Sequence, residues 1–501
     1  MDYMFSINEV KKSTLVRKIG PILMLLYFLN PKIALSQDYE EWKREQEEQF
    51  QLFKDERDAE FLKMLENAWE VMEADLNGDF REPKPEAIPE AGIRFDSSLK
   101  NIDESKTIDL NITEIGSDNE ISGDDFMKVQ SQRIPAGVLQ SSLNYYNVEI
   151  DYFYFAEGIY HLKGRPTQEN LMDYWAKMSQ INYDPMINRI REVREKLYLN
   201  DWGTLLLVNK MAHEIIGSSV NDMNLFIWFT MTKLGYDLKV GYNSSDIYVL
   251  FATSRRLYNT KFLTFGVRRY YVIQLQENNR DVLSMNTYRG NYPGAKKELN
   301  LSIDSIPRFP SVVNERELSF RWQDEEYRLT VPVNSDLIDF YRFFPNADMD
   351  VYVNASTSSG VNRVLLSQLA QVVNGKNQNE AVSILLHFVQ SAFRYKTDDE
   401  QFGKQKYMMP DEILHYPYSD CDDRTILFTY LVKQLLELDV IGLRYPNHIA
   451  TAVKLDLFDG GDYVIYEGEK YIVADPTYIN AQIGMTMPKY QNISPELVRL
   501  F

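Results

Sequence analysis

The sequence contains a single cysteine, Cys421, in 501 residues. An intramolecular disulfide is therefore impossible, and the fold has to be stabilised by its core alone. With 44% hydrophobic residues, the chain can bury enough apolar surface for roughly two to four domains. A lone thiol is prone to oxidation, so Cys421 is either buried as a small apolar side chain or kept because it reacts.

The N-terminus has the pattern of a secretory signal peptide. Basic residues at 11–18 precede an apolar run at 22–29, and Ala-Leu-Ser at 34–36 matches a cleavage site. A membrane anchor is the alternative, but the apolar run is shorter than the roughly 20 residues of a spanning helix. We expect residues 1–36 to be removed and the mature chain to be periplasmic or extracellular, with membrane contact only through this segment.

The charge of the chain disfavours one class of partner. The formal net charge is −19, from 73 acidic and 54 basic residues. Such a chain repels phosphate backbones, so nucleic-acid binding is not expected. A neutral or cationic partner is easier to accommodate, and we expect a protein or peptide substrate outside the cytoplasm. The oligomeric state stays open.

Hydrophobic periodicity predicts an α+β, multidomain chain. Apolar residues at helical spacing alternate with strand-like runs rich in aromatic and β-branched residues. The predicted segments after the signal are a charged amphipathic helix (37–78), a linker with loosely ordered strands (79–135), an α/β domain (136–290), a β-rich module with a hairpin (291–356) and a C-terminal domain (357–501).

Three short segments of the C-terminal domain carry chemistry, in the order Cys, His, Asp. Cys421 precedes a helical pattern, so the helix dipole favours its thiolate. Nearby Asp420, Asp422 and Asp423 act on the same thiol, and the last two raise its pKa, with Arg424 as an offset. A nearby imidazolium would be needed to hold the thiolate. The spacing from Cys421 to His448 equals that from His448 to Asp475. We expect these spacings to bring both partners back to the helix start, with His448 on the next strand and Asp475 on a later antiparallel strand.

This combination resembles the transglutaminase-like superfamily, also called the papain-like or transglutaminase core fold. The matching residues are Cys421 within Asp-Cys-Asp-Asp-Arg, His448 within His-Ile-Ala-Thr-Ala-Val, and Asp475 within Ala-Asp-Pro-Thr-Tyr. The resemblance covers roughly residues 376–485. It implies helices packed on an antiparallel sheet and a Cys-His-Asp triad. It also implies thiolate attack on an amide and a thioester that water or an amine resolves.

Several further residues are candidates to support such a triad. The backbone N–H of Cys421 is the expected first oxyanion donor. The candidates for a second oxyanion donor or a supporting role are Gln390, Tyr395, Tyr418 and Asn447. No His-x-x-x-His or paired-cysteine spacing is present, so no metal or cofactor is expected.

An internal similarity suggests a second copy of the same fold in the middle of the chain. Residues 220–242 have the helix-then-strand pattern of residues 419–445. Asn221, Asp222 and Met223 fall where the nucleophile would be, and no histidine follows. We interpret residues 167–280 as a degenerate copy that could bind substrate without cleaving it.

Two functions follow from these patterns. The first is an exported cysteine peptidase, amidase or transglutaminase that uses the triad. The second is a non-catalytic envelope or scaffold protein that kept the fold for binding. Reactivity of the Cys421 thiol distinguishes them.

Overall fold

The computed structural model describes residues 56–76, 108, 110, 128–129, 134–135, 137–155, 160–275, 282–310 and 313–500. The predicted signal peptide and most of the predicted linker lie outside these ranges. The chain forms two compact units, residues 1–63 and 64–501. Of the first unit, residues 56–63 are described and are helical. No helix in the described ranges is long and apolar enough to cross a membrane.

The second unit combines helices with several separate sheets, which confirms the α+β class. Its first part contains strands β1 (Trp69–Glu73), β2 (Lys128–Val129), β3 (Val138–Tyr145) and β4 (Val148–Phe155). The last three form a small sheet in the order β2-β4-β3. The middle of the chain continues with helices α1 (Gln168–Gln180), α2 (Asp184–Lys196), α3 (Asp201–Ile216) and α4 (Val220–Lys233).

Five strands follow α4: β5 (Leu238–Tyr242), β6 (Ile247–Ala252), β7 (Phe262–Phe265), β8 (Arg268–Ile273) and β9 (Ser284–Tyr288). They join β1 in one sheet with the order β1-β9-β5-β6-β8-β7. We call β1 together with residues 160–290 the middle module.

Strand β1 differs from the predicted amphipathic helix over residues 37–78. Residues 56–65 are helical, but Trp69–Glu73 pairs along its whole length with β9. The ring of Trp69 lies 5.2 Å from the rings of both Tyr242 and Tyr288. Sheet pairing and aromatic packing therefore outweigh the helical spacing of the sequence, as tertiary contacts often do.

A hairpin of β10 (Val313–Trp322) and β11 (Glu325–Asn334) follows, within the segment predicted as β-rich. The rest of that segment contains two short helices, α5 (Ser335–Tyr341) and α6 (Met349–Val353). A π-helical turn (Gly360–Leu365) leads into α7 (Leu366–Val373) and α8 (Gln378–Ala392).

The C-terminal module, residues 378–500, begins with α8. Short elements follow it: β12 (Arg394–Tyr395), α9 (Asp398–Phe402), α10 (Pro410–His415) and β13 (Tyr418–Ser419). Then come α11 (Cys421–Leu436), β14 (Val440–Tyr445), β15 (His448–Lys454), β16 (Tyr463–Tyr466), β17 (Glu469–Ala474), a 3₁₀ turn (Pro488–Tyr490) and β18 (Glu496–Arg499). The sheet order is β16-β17-β15-β14-β18.

The two larger sheets have the same topology. Each follows a helix, α4 or α11, and the order β7-β8-β6-β5-β9 of the middle module corresponds to β16-β17-β15-β14-β18 of the C-terminal module. Neighbouring strands within both series are antiparallel. The preceding helices also correspond, because α3 packs on α4 as α8 packs on α11.

Candidate active site

Cys421 is the first residue of α11. The N-terminus of this helix is capped by hydrogen bonds between Asp420 and the first turn. The Asp420 side chain accepts the backbone N–H groups of Asp422 (3.1 Å) and Asp423 (3.5 Å). In return, the Asp423 carboxylate accepts the N–H of Asp420 at 3.2 Å. Such a capping box satisfies N–H groups that a helix start leaves open. In the described structure, it does not use the N–H of Cys421.

His448 and Asp475 form a buried pair. His448 Nε2 lies 2.9 Å from Asp475 Oδ2, and the residues are 3% and 2% exposed. His448 is the first residue of β15, after a turn in which Asn447 adopts a left-handed φ of 57°. Asp475 directly follows β17, which pairs with β15. The predicted proximity of these two residues is therefore present in the fold.

The second ring nitrogen of His448 is unpaired. Its Nδ1 is buried and has no hydrogen-bond partner among the described residues. A carboxylate on one nitrogen fixes the ring orientation and leaves the other free to exchange a proton. The free atom is thus the one that a general base needs.

The first turn of α11 lies against the start of β15. The backbone N–H of Ile449, the residue after His448, donates a hydrogen bond to the Cys421 sulfur and lowers the pKa of the thiol. Thr425 Oγ1 lies 3.5 Å from the Ile449 carbonyl oxygen. These contacts bring the nucleophile candidate to the strand end that carries His448.

Two side chains hold the loop that follows β17: that of Gln390 and that of Asp475 itself. The Gln390 amide donates to the carbonyl oxygens of Asp475 (3.0 Å), Tyr478 (2.9 Å) and Ala481 (3.1 Å). Asp475 Oδ1 accepts the N–H groups of Thr477 (2.9 Å) and Tyr478 (3.1 Å). Because the amide nitrogen of Gln390 is engaged with the loop, Gln390 positions Asp475 and is not available as an oxyanion donor.

Tyr490 packs on His448, a contact that no sequence motif predicts. The two rings are nearly parallel, at 8°, with centroids 5.3 Å apart. Tyr490 also stacks on Tyr445, and its hydroxyl donates to the Pro446 carbonyl oxygen at 3.0 Å. The stack covers one face of the imidazole and restricts its rotation.

Burial opposes ionisation of the thiol. Cys421 is 2% exposed, and burial is the main cause that raises its pKa, followed by the charges of Asp422 and Asp420. The helix start was expected to favour the thiolate, but desolvation and these carboxylates outweigh it. The resting group is therefore the thiol.

The pKa of Asp422, which lies next to Cys421 in the chain, is influenced by a residue that the sequence did not single out, Arg444. Burial raises the pKa of Asp422 to about 7, while Arg444 and His448 lower it. Arg444 lies on β14, remote in sequence from the Cys421 motif. Asp422 can therefore change its charge near neutral pH, and with it the ease of ionising Cys421.

Arg424 is buried and links two helices. Its guanidinium donates to the Phe393 carbonyl oxygen (2.8 Å), to Ser419 Oγ (3.1 Å) and to the Gln390 carbonyl oxygen (3.5 Å). Burial lowers its pKa to about 10, against the opposing effect of nearby Tyr395 and acidic groups. The expected neutralising residue thus directs its hydrogen bonds to the end of α8 and the start of α11.

Of the two tyrosine candidates, Tyr395 lies near the sulfur. Burial raises the pKa of Tyr395, and Cys421 is the next largest cause. Tyr418 instead lies under the ammonium of Lys396, at 5.2 Å. Asn447 is exposed in the β14–β15 turn, so its contribution is to shape that turn.

Some acidic groups have the spacing of metal ligands. Carboxylate oxygens of Asp398, Asp420 and Asp423 lie within 4.8 Å of one another and are buried; a second such group joins Cys421 to Asp420 and Asp422. Asp398 and Asp423 accept backbone N–H groups from Lys406 (2.8 Å) and Met408 (3.0 Å). Two carboxylates of the first group, those of Asp398 and Asp423, therefore already accept hydrogen bonds from the backbone.

Comparison of the chain with protein-family models, curated proteins and solved structures finds no match. Any assignment of function therefore depends on the geometry of the site itself.

Proposed function

We propose that the chain is an exported thiol-dependent amide-bond enzyme, a cysteine peptidase, amidase or transglutaminase. Cys421 is the nucleophile, His448 the general base and acid, and Asp475 the residue that orients the imidazole. The observation that carries the proposal is the buried His448–Asp475 pair, which leaves Nδ1 of His448 unpaired among the described residues, on a strand whose next residue contacts the first turn of α11.

The reaction begins from a neutral thiol. As the sulfur attacks the substrate carbonyl carbon, its proton passes to His448 Nδ1 and a C–S bond forms. The carbonyl oxygen becomes an oxyanion, stabilised by the N–H of Cys421 and by the Tyr395 hydroxyl. His448 then gives its proton to the departing amine as the C–N bond breaks, which leaves a thioester.

The thioester is resolved by the same groups. His448 takes a proton from water or from an amine as it attacks, and the C–S bond breaks to regenerate the thiol. Water gives a peptidase or amidase, and an amine gives a transglutaminase. The burial of the site favours reaction with a bound polypeptide, because solvent has little access to the sulfur.

The proposal includes the transglutaminase-like fold for the C-terminal module. The support is a nucleophile candidate at the start of α11, histidine at the start of the second strand after it, and aspartate directly after the strand paired with β15. The shared topology of the two large sheets supports a degenerate copy in the middle module.

The middle module has other residues at the three corresponding positions. Val220 begins α4, Ile247 begins β6 and Gln274 directly follows β8. Asn221, expected near the nucleophile position, corresponds to Asp422. We propose that this copy has a structural role.

A thiol-directed electrophile tests the proposed function. We expect stoichiometric, pH-dependent labelling of Cys421 in the folded protein, slowed by at least about tenfold in His448→Ala. His213→Ala, an exposed histidine of the middle module, is the matched control and should label like the parent. A labelling rate that is identical in all three proteins would contradict the proposal.

The second candidate is a non-catalytic envelope or scaffold protein. The burial of Cys421 and its raised pKa favour it, because both are also properties of an inert buried thiol. Labelling only after denaturation would support this candidate.

A further inference from the structure

Two adjoining cavities border the C-terminal module: the larger is also lined by residues of the middle module, and the smaller by Arg342 and Phe343 of the segment between the modules. Their volumes are about 1140 and 500 Å³, and both are lined by Arg342, Phe343, Lys404 and Lys406. We call them together the basic cleft. The larger cavity exceeds what a drug-sized ligand fills, so an extended polymer segment fits it better than a small molecule.

The lining of the basic cleft reverses the charge balance of the chain. Among the described residues, one acidic residue lines it, Asp399, and the basic ones are Lys210, Lys261, Arg342, Lys396, Lys404 and Lys406. The chain as a whole has 73 acidic and 54 basic residues. A concave surface of opposite sign concentrates ligands that the rest of the protein repels.

Some of these cations already have carboxylate partners. Lys210 pairs with Glu214 (2.7 Å), Arg342 with Asp339 (2.6 Å), and Lys406 with Glu412 (2.8 Å). Within the described residues, Lys396 and Lys404 form no ion pair, and Lys396 lies over the Tyr418 ring. These two ammonium groups are therefore the ones that a ligand can neutralise.

The smaller cavity is next to the active site along the chain. Tyr418, in its wall, belongs to β13, which leads directly to Asp420 and Cys421. Lys396 follows Tyr395, the tyrosine near the sulfur. Tyr395 and Ser419 are paired residues of β12 and β13. A polymer seated between Lys396 and Lys404 would thus run beside the strands that lead to the nucleophile.

We propose that the basic cleft binds an acidic polypeptide segment, with side-chain carboxylates placed at Lys396 and Lys404. The polypeptide identity rests on the proposed amide-bond chemistry, whereas the preference for acidic residues rests on the cleft alone. Aromatic side chains in the smaller cavity provide apolar contact for such a segment: Phe343, Phe402, Tyr416 and Tyr418.

Binding can be measured without turnover. The probe is a labelled peptide with several glutamates, compared with the same peptide carrying glutamine, and its fluorescence anisotropy is followed with the full chain bearing Cys421→Ala. At low ionic strength, we expect the glutamate peptide to bind at least about fivefold more tightly, with a preference that salt weakens. Lys396→Gln combined with Lys404→Gln should remove this preference.

Lys470→Gln is the matched control. Lys470 lies over the Tyr463 ring at 4.8 Å, as Lys396 lies over Tyr418, but it is on β17 and does not line the cleft. It should leave the preference unchanged. The proposal is overturned by equal binding of the two peptides, by an unaffected Lys396/Lys404 variant, or by tripolyphosphate displacing the peptide more strongly than a glutamate peptide of equal charge.

The outcomes also separate this proposal from the proposed function. Peptide binding in the Cys421→Ala background does not require a reactive thiol, and thiol labelling does not require a peptide. Labelling that depends on His448 without acidic preference would reject only the role of the cleft. Acidic binding without labelling would reject only the enzyme.

Discussion

The middle and C-terminal modules share a topology but differ at the helix start that carries the site. In the middle module, α3 and α4 are joined by residues 217–219 alone, whereas residues 393–420 separate α8 from α11. This longer connection contains β12, α9, α10 and β13, and it supplies Tyr395 and three lysines of the basic cleft: Lys396, Lys404 and Lys406. We call residues 393–420 the inserted wall. The candidate site therefore depends on this wall as well as on the side chains of Cys421, His448 and Asp475.

The corresponding position in the middle module is closed by hydrogen bonds. Asn221 accepts the N–H of Ile247 and donates to the carbonyl oxygen of Ser245, both at 2.8 Å. Asn224 donates to the carbonyl oxygen of Ile247 at 2.7 Å. These contacts join the first turn of α4 to the start of β6 at the position that corresponds to Cys421 and His448. The comparison favours a structural role for this copy over the substrate binding suggested by its sequence.

The largest expected effect comes from moving the thiol between modules. Cys421→Val, which matches Val220, should lower amide-bond cleavage by roughly a thousandfold or more, because no nucleophile is left. Cleavage of a peptide mixture followed by mass spectrometry measures this loss.

The same variant with Val220→Cys added is the control for the position of the thiol. It restores a cysteine at a helix start, but Ile247 and Gln274 stand where the C-terminal module has His448 and Asp475, so we expect activity to stay lost. Recovery of cleavage in this double variant would break the distinction between the modules.

A smaller effect is expected from the inserted wall. Tyr395→Phe keeps the ring and removes the hydroxyl, so kcat should fall roughly 10- to 100-fold if the hydroxyl stabilises the oxyanion. Tyr418→Phe, on the partner strand β13, should leave kcat close to that of the parent. Equal losses in both variants would indicate that these tyrosines act by packing and not by donating a hydrogen bond to the oxyanion.

The sequence predicted the parts of the site that are local. The helix start at Cys421 and the strand that begins at His448 depend on helical periodicity and strand alternation, which neighbouring positions encode. The antiparallel strand that leads to Asp475 was also expected from these local patterns. The amphipathic pattern over Trp69 failed because its partner strand, β9, is distant in sequence.

The remaining site residues depend on contacts that sequence spacing does not encode. Tyr490 reaches His448 through a loop and a 3₁₀ turn, and Arg444 acts on Asp422 from another element. Gln390 was selected as a donor, but its three acceptors are backbone carbonyl groups whose positions only the fold determines. The basic cleft likewise assembles lysines from three parts of the chain.

Asp422→Asn gives the C-terminal module the residue type that the middle module has at the corresponding position, Asn221. Because the Asp422 charge raises the pKa of the Cys421 thiol, its removal should shift the pH midpoint of labelling downwards and speed labelling several-fold at pH 7. The pH dependence of the labelling rate measures this. An unchanged midpoint would show that the charge of Asp422 does not contribute to the pKa of the thiol.

The same substitution should change how the free energy of unfolding depends on pH. The pKa of Asp422 is about 7 in the folded chain and about 4 when unfolded, so its stabilising contribution is present below pH 4 and is lost as pH rises through 7. Asp422→Asn should flatten the change in urea unfolding free energy over that window. Asp459→Asn, in an exposed loop, should not.

The smallest effects are expected from the asparagines of α4, and the first of these variants, Asn221→Ala, acts on stability alone. It removes both hydrogen bonds of a half-buried side chain to the start of β6, so the free energy of unfolding should fall by about 1–2 kcal/mol. Asn224→Ala, which removes one bond, should cost less, about 1 kcal/mol. Both variants should label at Cys421 and bind the acidic peptide like the parent, because the middle-module position takes no part in either. Loss of peptide binding in Asn221→Ala without loss of stability would instead assign the degenerate copy a direct part in holding substrate.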